Sequence, residues 1–313
     1  SNISFELRKG EILGMAGLVG AGRTNVARAL FGVEPATSGK IQLDGREVSI
    51  TSPQQAIKLG LAYVPEDRQL HGLITAMNLV SNISLPTLSK YAALGYWLQN
   101  AAEQKASHQA ALQMEVRANN IWQMARELSG GNQQKIVLAK WLATKPRILI
   151  LDEPVSGLDP FGIIQIREML MDERTRGTTV LISSHILSEV ERTADRVGII
   201  AQGKLIFEDS MDVLKQQVGG TKRRIELQVV NPEQLNVNTL RSLSFVRQIH
   251  QIDEMIILET PSDRDYRADL GRALNEHGII VQGMRALETS LEEAFITITE
   301  KHVQEWSQRQ LQG

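Results

Sequence analysis

A chain of 313 residues is long enough for two domains of ordinary size, each with its own core. With 22% charged and 42% hydrophobic residues and a formal charge of −2, it has a globular composition and no global electrostatic case for nucleic acid. The absence of cysteine excludes disulfides and thiolate metal sites, and no apolar run approaches the ~18–20 residues that span a bilayer. Any membrane role is therefore expected to come through a partner.

Residues 1–16 read as two strands around the turn Lys9-Gly10-Glu11, with the opening strand expected to continue from chain upstream. The segment Gly17-Leu18-Val19-Gly20-Ala21-Gly22-Arg23-Thr24 then fills every fixed position of the phosphate-cradling pattern G-x-x-x-x-G-K-[ST], with arginine in place of lysine. Glycines let a backbone approach a phosphate closely, and the N–H groups of the loop and helix start, through Asn25, face the anion. Thr24 is placed to offer its hydroxyl to Mg²⁺. Taken alone, a glycine-rich strand-to-helix turn that binds nothing is the alternative.

The stretch Gly32–Ile50 alternates as a hairpin, with Ser38-Gly39 and Asp44-Gly45 as turn signals. Pro53–Leu59 reads as a short helix and Leu61–Val64 as a strand. From about 76 to 142 the periodicity is helical, and Trp97, Trp122 and Trp141 are read as packing residues. Ile148–Leu151 is wholly apolar, as a strand buried on both faces should be. A helix over Phe161–Arg174, a strand over Thr179–Ser183, a helix over Ser188–Ala194 and strands Arg196–Ile200 and Lys204–Phe207 follow. This alternation predicts a three-layer α/β core with a helical insertion. After a break at Gly219-Gly220, strands at Arg224–Val230, Val246–Ile249, Met255–Glu259 and Gly278–Met284 mix with helices at Asp265–Glu276 and Ser290–Thr299. The expected division is a domain over 1–218 and a small α+β domain over 219–313.

The chemistry gathers at strand ends. The run Ile148–Leu151 delivers Asp152 and Glu153 to the C-terminal edge of a parallel sheet, where ligands bind. Asp152 can hold Mg²⁺, and Glu153 can polarise an attacking water. Leu128-Ser129-Gly130-Gly131-Asn132-Gln133-Gln134 opens a helix with a hydroxyl and exposed glycine N–H groups, a second anion site. Ser156-Gly157-Leu158-Asp159 makes a tight turn after the acids. His185, after the strand ending Ser183-Ser184, sits at the same sheet edge and can donate to a phosphate oxygen. His71, His108, His250, His277 and His302 lack such company and are read as surface residues.

Together these motifs resemble the nucleotide-binding domain of ATP-binding-cassette (ABC) transporters, over about residues 1–218. The resemblance implies an α/β fold of the P-loop NTPase three-layer type, with a helical subdomain at about 76–142. It also implies ATP and Mg²⁺ as ligands, hydrolysis through Glu153 and His185, and metal contacts from Thr24, Asp152 and Glu66. Glu66 stands where the family usually has glutamine. Two such domains, as a homo- or heterodimer, would sandwich two ATP molecules head to tail. Each nucleotide would meet Gly17 to Asn25, Asp152, Glu153 and His185 of one subunit and Ser129, Gly130, Gly131 and Gln133 of the other, with Asp159 in the linking turn. The implied partner is a transmembrane permease at the cytoplasmic face of a membrane, with no nucleic acid. The upstream aromatic on which adenine stacks in the family has no counterpart among these residues, and Phe5 is read as core.

Residues 1–154 resemble the second cassette of monosaccharide-type importers, through the glycine loop, Tyr63-Val-Pro-Glu-Asp-Arg68 and Leu128 to Lys135. From Val155 onward, Ser156 to Pro160, Ser183 to Val190 and Ala194 to Val197 resemble drug- or antibiotic-exporter ATPases, and Thr289 to Phe295 resembles their accessory domain. A chain recombined from two lineages is expected, leaning towards export. Arg23 puts a broad planar fork where the family threads a compact ammonium between phosphates. Nucleotide binding is expected to survive this change, and fast hydrolysis to suffer.

Overall fold

The computed structural model describes residues 3–93, 97–219, 222–231, 235–252, 255–287 and 290–311. They fall into two compact units, Ser1–Ser210 and Met211–Gly313.

The first unit runs β1 (Ile12–Ala16), α1 (Arg23–Phe31), β2 (Ile41–Leu43), β3 (Arg46–Val48), α2 (Pro53–Lys58) and β4 (Leu61–Val64). A lobe follows, with α3 (Leu79–Ser84), the short pair β5 (Ala92–Ala93) and β6 (Trp97–Leu98), α4 (Asn100–Gln113) and α5 (Gly130–Leu142). The chain then returns to the sheet through β7 (Ile148–Asp152), α6 (Pro160–Thr175), β8 (Thr179–Ser184), α7 (Leu187–Thr193), β9 (Arg196–Ala201) and β10 (Lys204–Ser210). The main sheet has the order β10-β9-β1-β8-β7-β4, parallel except where β10 lies antiparallel to β9. Its inner strands are apolar along their length because helices cover both faces, and β1, β7 and β8 are almost wholly buried. Register sets the site: Ala16 pairs with Ser184 and Asp152 with Ser183, so the loops leaving these three strands start side by side.

Several expectations change. Residues 3–8 form no strand: they lack a ladder partner, although Ile3, Phe5 and Leu7 still pack on the core. The helical stretch breaks between Gln113 and Gly130. There an extended loop is tied to the start of α3 by backbone bonds from Leu79 N to Gln123 O and from Ala125 N to Met77 O. Trp141 is buried, edge-on to Phe31 at 5.2 Å, as a packing residue should be. Trp122 is not: it is 52% exposed on that extended loop. The side chain of Trp97 lies outside the described residues.

The second unit holds α8 (Met211–Gly219), β11 (Lys222–Val229), α9 (Val237–Arg241), β12 (Gln248–Ile252), β13 (Met255–Pro261), α10 (Arg267–Glu276), β14 (Val281–Leu287) and α11 (Leu291–Leu311). Its antiparallel sheet, ordered β12-β13-β11-β14, packs Ile225, Leu227, Ile256 and Leu258 with Leu270 and Leu274 of α10 into a separate core. The division falls at Ser210/Met211, before the expected Gly219-Gly220 break, because α8 packs against α11. Gly220 and Thr289 lie outside the described residues. Among the described residues, no helix is long and apolar enough to cross a membrane.

Candidate active site

The loop between β1 and α1 forms a cleft of ≈ 210 Å³ lined by Gly20, Ala21, Gly22, Arg23, Thr24 and Asn25. Two of its glycines are required by geometry. Gly22 caps α1 at φ 102°, in the left-handed region, with no side chain occupying the helix's first N–H groups. Gly17 lies so close to β9 that an alanine Cβ there would stand 2.6 Å from the Ile200 carbonyl oxygen. The backbone of Gly203 donates to Ala21 O at 3.0 Å and ties the loop to the β9–β10 turn. Leu18 and Val19 face outward and are exposed.

Asp152 is fully buried at the end of β7. A carboxylate taken out of water is tolerated only when hydrogen-bonded, and three hydroxyls donate to it: Ser183 at 2.5 Å, Tyr63 at 3.2 Å and Thr24 at 3.2 Å. Burial, and then the Asp152 charge, push the Tyr63 phenol well up from its ordinary value, so it stays a donor. Thr24 and Asp152 bring two hard oxygen ligands together, which suits Mg²⁺ carried in with a nucleotide. Glu66 is exposed, and among the described residues no hydrogen bond or ion pair joins it to this group.

Glu153 follows with φ 48°, its N–H donating to Ser183 O at 3.0 Å. Its Oε2 lies 2.7 Å from His185 Nδ1 and accepts the His185 backbone N–H at 3.2 Å. Its Oε1 lies 2.9 Å from Arg23 Nη2, with both side chains buried. No N–H points along that line, so the contact is an ion pair rather than a hydrogen bond, and among the described residues Arg23 Nη1 has no hydrogen-bond partner. The Arg23 stem folds beneath Gly17 and carries the guanidinium to Glu153, a reach a long planar fork permits.

In the Ser129 segment, Gly131 stands open and Ser129 Oγ accepts Asn132 Nδ2 at 3.0 Å. Gly130 begins α5. Gln133 departs from expectation: it is 2% exposed, donates to Ala125 O at 3.0 Å and accepts from Gln69 at 3.0 Å. It braces the segment from within and presents nothing to a ligand. Asp159 is exposed and caps α6, accepting Gly162 N at 2.7 Å. No hydrogen bond or ion pair among the described residues joins the Ser129 segment to the glycine loop. His71, His108, His250 and His277 are exposed, and His302 is half-buried. Tyr63 and Ser183 were missed by sequence reasoning; a lone tyrosine in an apolar strand and a serine pair at a strand end were the available signals.

The ABC transporter family model matches residues 1–156. A dimeric ATP-binding cassette solved in a post-hydrolysis state with ADP and Pi superposes with a TM-score of 0.60 at 21% identity, over 67% of this chain and 89% of its own. Unit 1 has the fold of an ABC-type ATPase. An ATP-binding subunit of an ABC transporter matches this cassette with a TM-score of 0.56 at 25% identity, over 70% of this chain and 86% of its own. A putative ribose/galactose/methyl galactoside import ATP-binding protein of Albidiferax ferrireducens is 40% identical over 216 residues, covering 69% of this chain and 43% of that protein. The ribose import ATP-binding protein RbsA of Chromobacterium violaceum is 40% identical over 205 residues, 65% of this chain and 40% of its own. The chain thus spans well under half the length of these curated relatives.

Proposed function

We propose that the chain binds and hydrolyses ATP to power solute uptake through a separate transmembrane permease, working as one of two paired cassettes at the inner face of the membrane. The observation that carries this reading is the convergence of Thr24, Asp152, Glu153 and His185 beside the glycine loop. Loop and α1 N–H groups would take the phosphates. Mg²⁺ arriving with ATP would be held by Thr24 and Asp152 and would neutralise phosphate charge. Glu153 is the base for the attacking water, and His185 Nδ1–H orients its carboxylate; donation from Nε2 to phosphate requires the ring to carry both protons. Ser129 to Gly131 would meet the nucleotide of the paired cassette.

Uptake is favoured because the relatives are named as import proteins. The exporter-like motifs after Val155 keep a recombined chain within the proposal.

A second reading is favoured by the Arg23–Glu153 ion pair: a cassette that binds nucleotide but hydrolyses it poorly, acting as a clamp. Steady-state hydrolysis by the parent and by Arg23→Lys, with Mg-ATP binding measured alongside, separates the two. Turnover by the parent supports the motor, and turnover by Arg23→Lys alone supports the clamp. Loss of nucleotide binding in both would remove both.

A further inference from the structure

Arg68 has no part in the site described above, yet it touches both segments that the cassette would present to a neighbour. Its Nη1 donates to Ser156 O at 3.1 Å, in the turn after Glu153. Its Nη2 lies against Gly130 so closely that an alanine Cβ there would stand 2.6 Å away. Among the described residues Nε is buried without a hydrogen-bond partner, so the guanidinium sits wedged between these two segments rather than in solvent.

The turn that carries Arg68 is itself fixed. Asp67 accepts Gln69 N and Leu70 N at 2.9 Å each, and these bonds hold its carboxyl below the usual range. Gln69 bonds Gln133 on α5, and Gly72 packs on Val137 with its carbonyl taken by Lys140 Nζ. The same stretch begins at β4, where Tyr63 bonds Asp152. A continuous path thus runs from the buried acid through Arg68 to Ser156 and Gly130.

We propose that Arg68 is a positioning residue that fixes the Ser129–Gly131 segment of its own subunit for the nucleotide held by the neighbouring subunit. This role rests on the paired-cassette reading above. A planar fork can hold a carbonyl and fill the space beside a glycine at once, and an ammonium cannot. Loss of that register is expected to lower turnover by about 10- to 100-fold, as small misplacements of reacting groups do. Nucleotide affinity of the glycine loop should stay within about twofold, because Arg68 contacts none of it.

The test uses the full chain. Arg68→Ala and Glu153→Gln are assayed alone and mixed in equal amounts, with Arg68→Lys as the variant that keeps charge and fold. In a mixed dimer, one site combines an intact Glu153 with a Ser129 segment backed by an intact Arg68. Recovery of hydrolysis on mixing two inactive variants is expected, with Arg68→Lys behaving as Arg68→Ala. No recovery, an unchanged rate for the single Arg68 variants, or a Mg-ATP affinity falling in step with the rate would overturn the role. Should the parent hydrolyse nothing, ATP-dependent pairing measured by sedimentation replaces the rate. Pairing weakened about tenfold by Arg68→Lys supports the role, and unchanged pairing overturns it. A chain that neither hydrolyses nor pairs removes the paired-cassette reading, and this role with it.

Discussion

Around Glu153 the chain gathers Arg23, His185 and, one residue back, the fully buried Asp152, all within hydrogen-bonding or ion-pair reach of one another's neighbours. Removing one partner of a buried pair leaves an uncompensated charge, which costs about 3–5 kcal/mol, whereas removing both can be near neutral. Arg23→Met should therefore destabilise the protein by about that amount in urea unfolding, and Arg23→Met with Glu153→Gln should recover most of it. Lys140 offers a second check at this scale. Burial brings its ammonium down to about 8, whereas the unfolded chain holds that proton to about 10.4. Below pH 8 both states are protonated and the cost of burial is constant. Between about pH 8 and 10.4 the unfolded state binds more protons, so stability rises with pH. Lys140→Met should flatten that rise relative to the parent. Of the candidate site, the convergence of Thr24, Asp152, Glu153 and His185 at one sheet edge was legible because each follows a recognisable strand or loop. The direction of Arg23 and the inward turn of Gln133 were not, since each depends on a partner distant in the chain.

At the scale of elements, the buried strands were readable as short apolar runs, and the helices on either side by their periodicity. Residues 3–8 alternate like a strand, but alternation cannot supply a neighbour to pair with. The short helices α8 and α9 escaped notice because each buries essentially one apolar side chain, Leu214 and Leu240, and one residue carries no period. Helix α6 has a clear start signal in Asp159-Pro160, and the structure places Asp159 on Gly162 N. Asp159→Ala should lower stability by about 1 kcal/mol through loss of that cap. Since Asp159 also lies in the turn held by Arg68 through Ser156, any further fall in hydrolysis beyond the thermal shift would report on that turn.

For the whole molecule, two domains divided at Gly219-Gly220 were expected, whereas the compact units divide at Ser210/Met211, where α8 joins α11. The cassette's function depends on register across β1, β7 and β8, which no single segment encodes. The most direct test is phosphate release from saturating Mg-ATP by the purified full chain, with Glu153→Gln assayed beside it at equal nucleotide occupancy. Turnover by the parent and a loss of about 10²–10⁴-fold in the glutamine variant are expected for a general base. A parent no faster than Glu153→Gln, with nucleotide bound to both, would contradict the assignment of Glu153 as the base and of the chain as a motor.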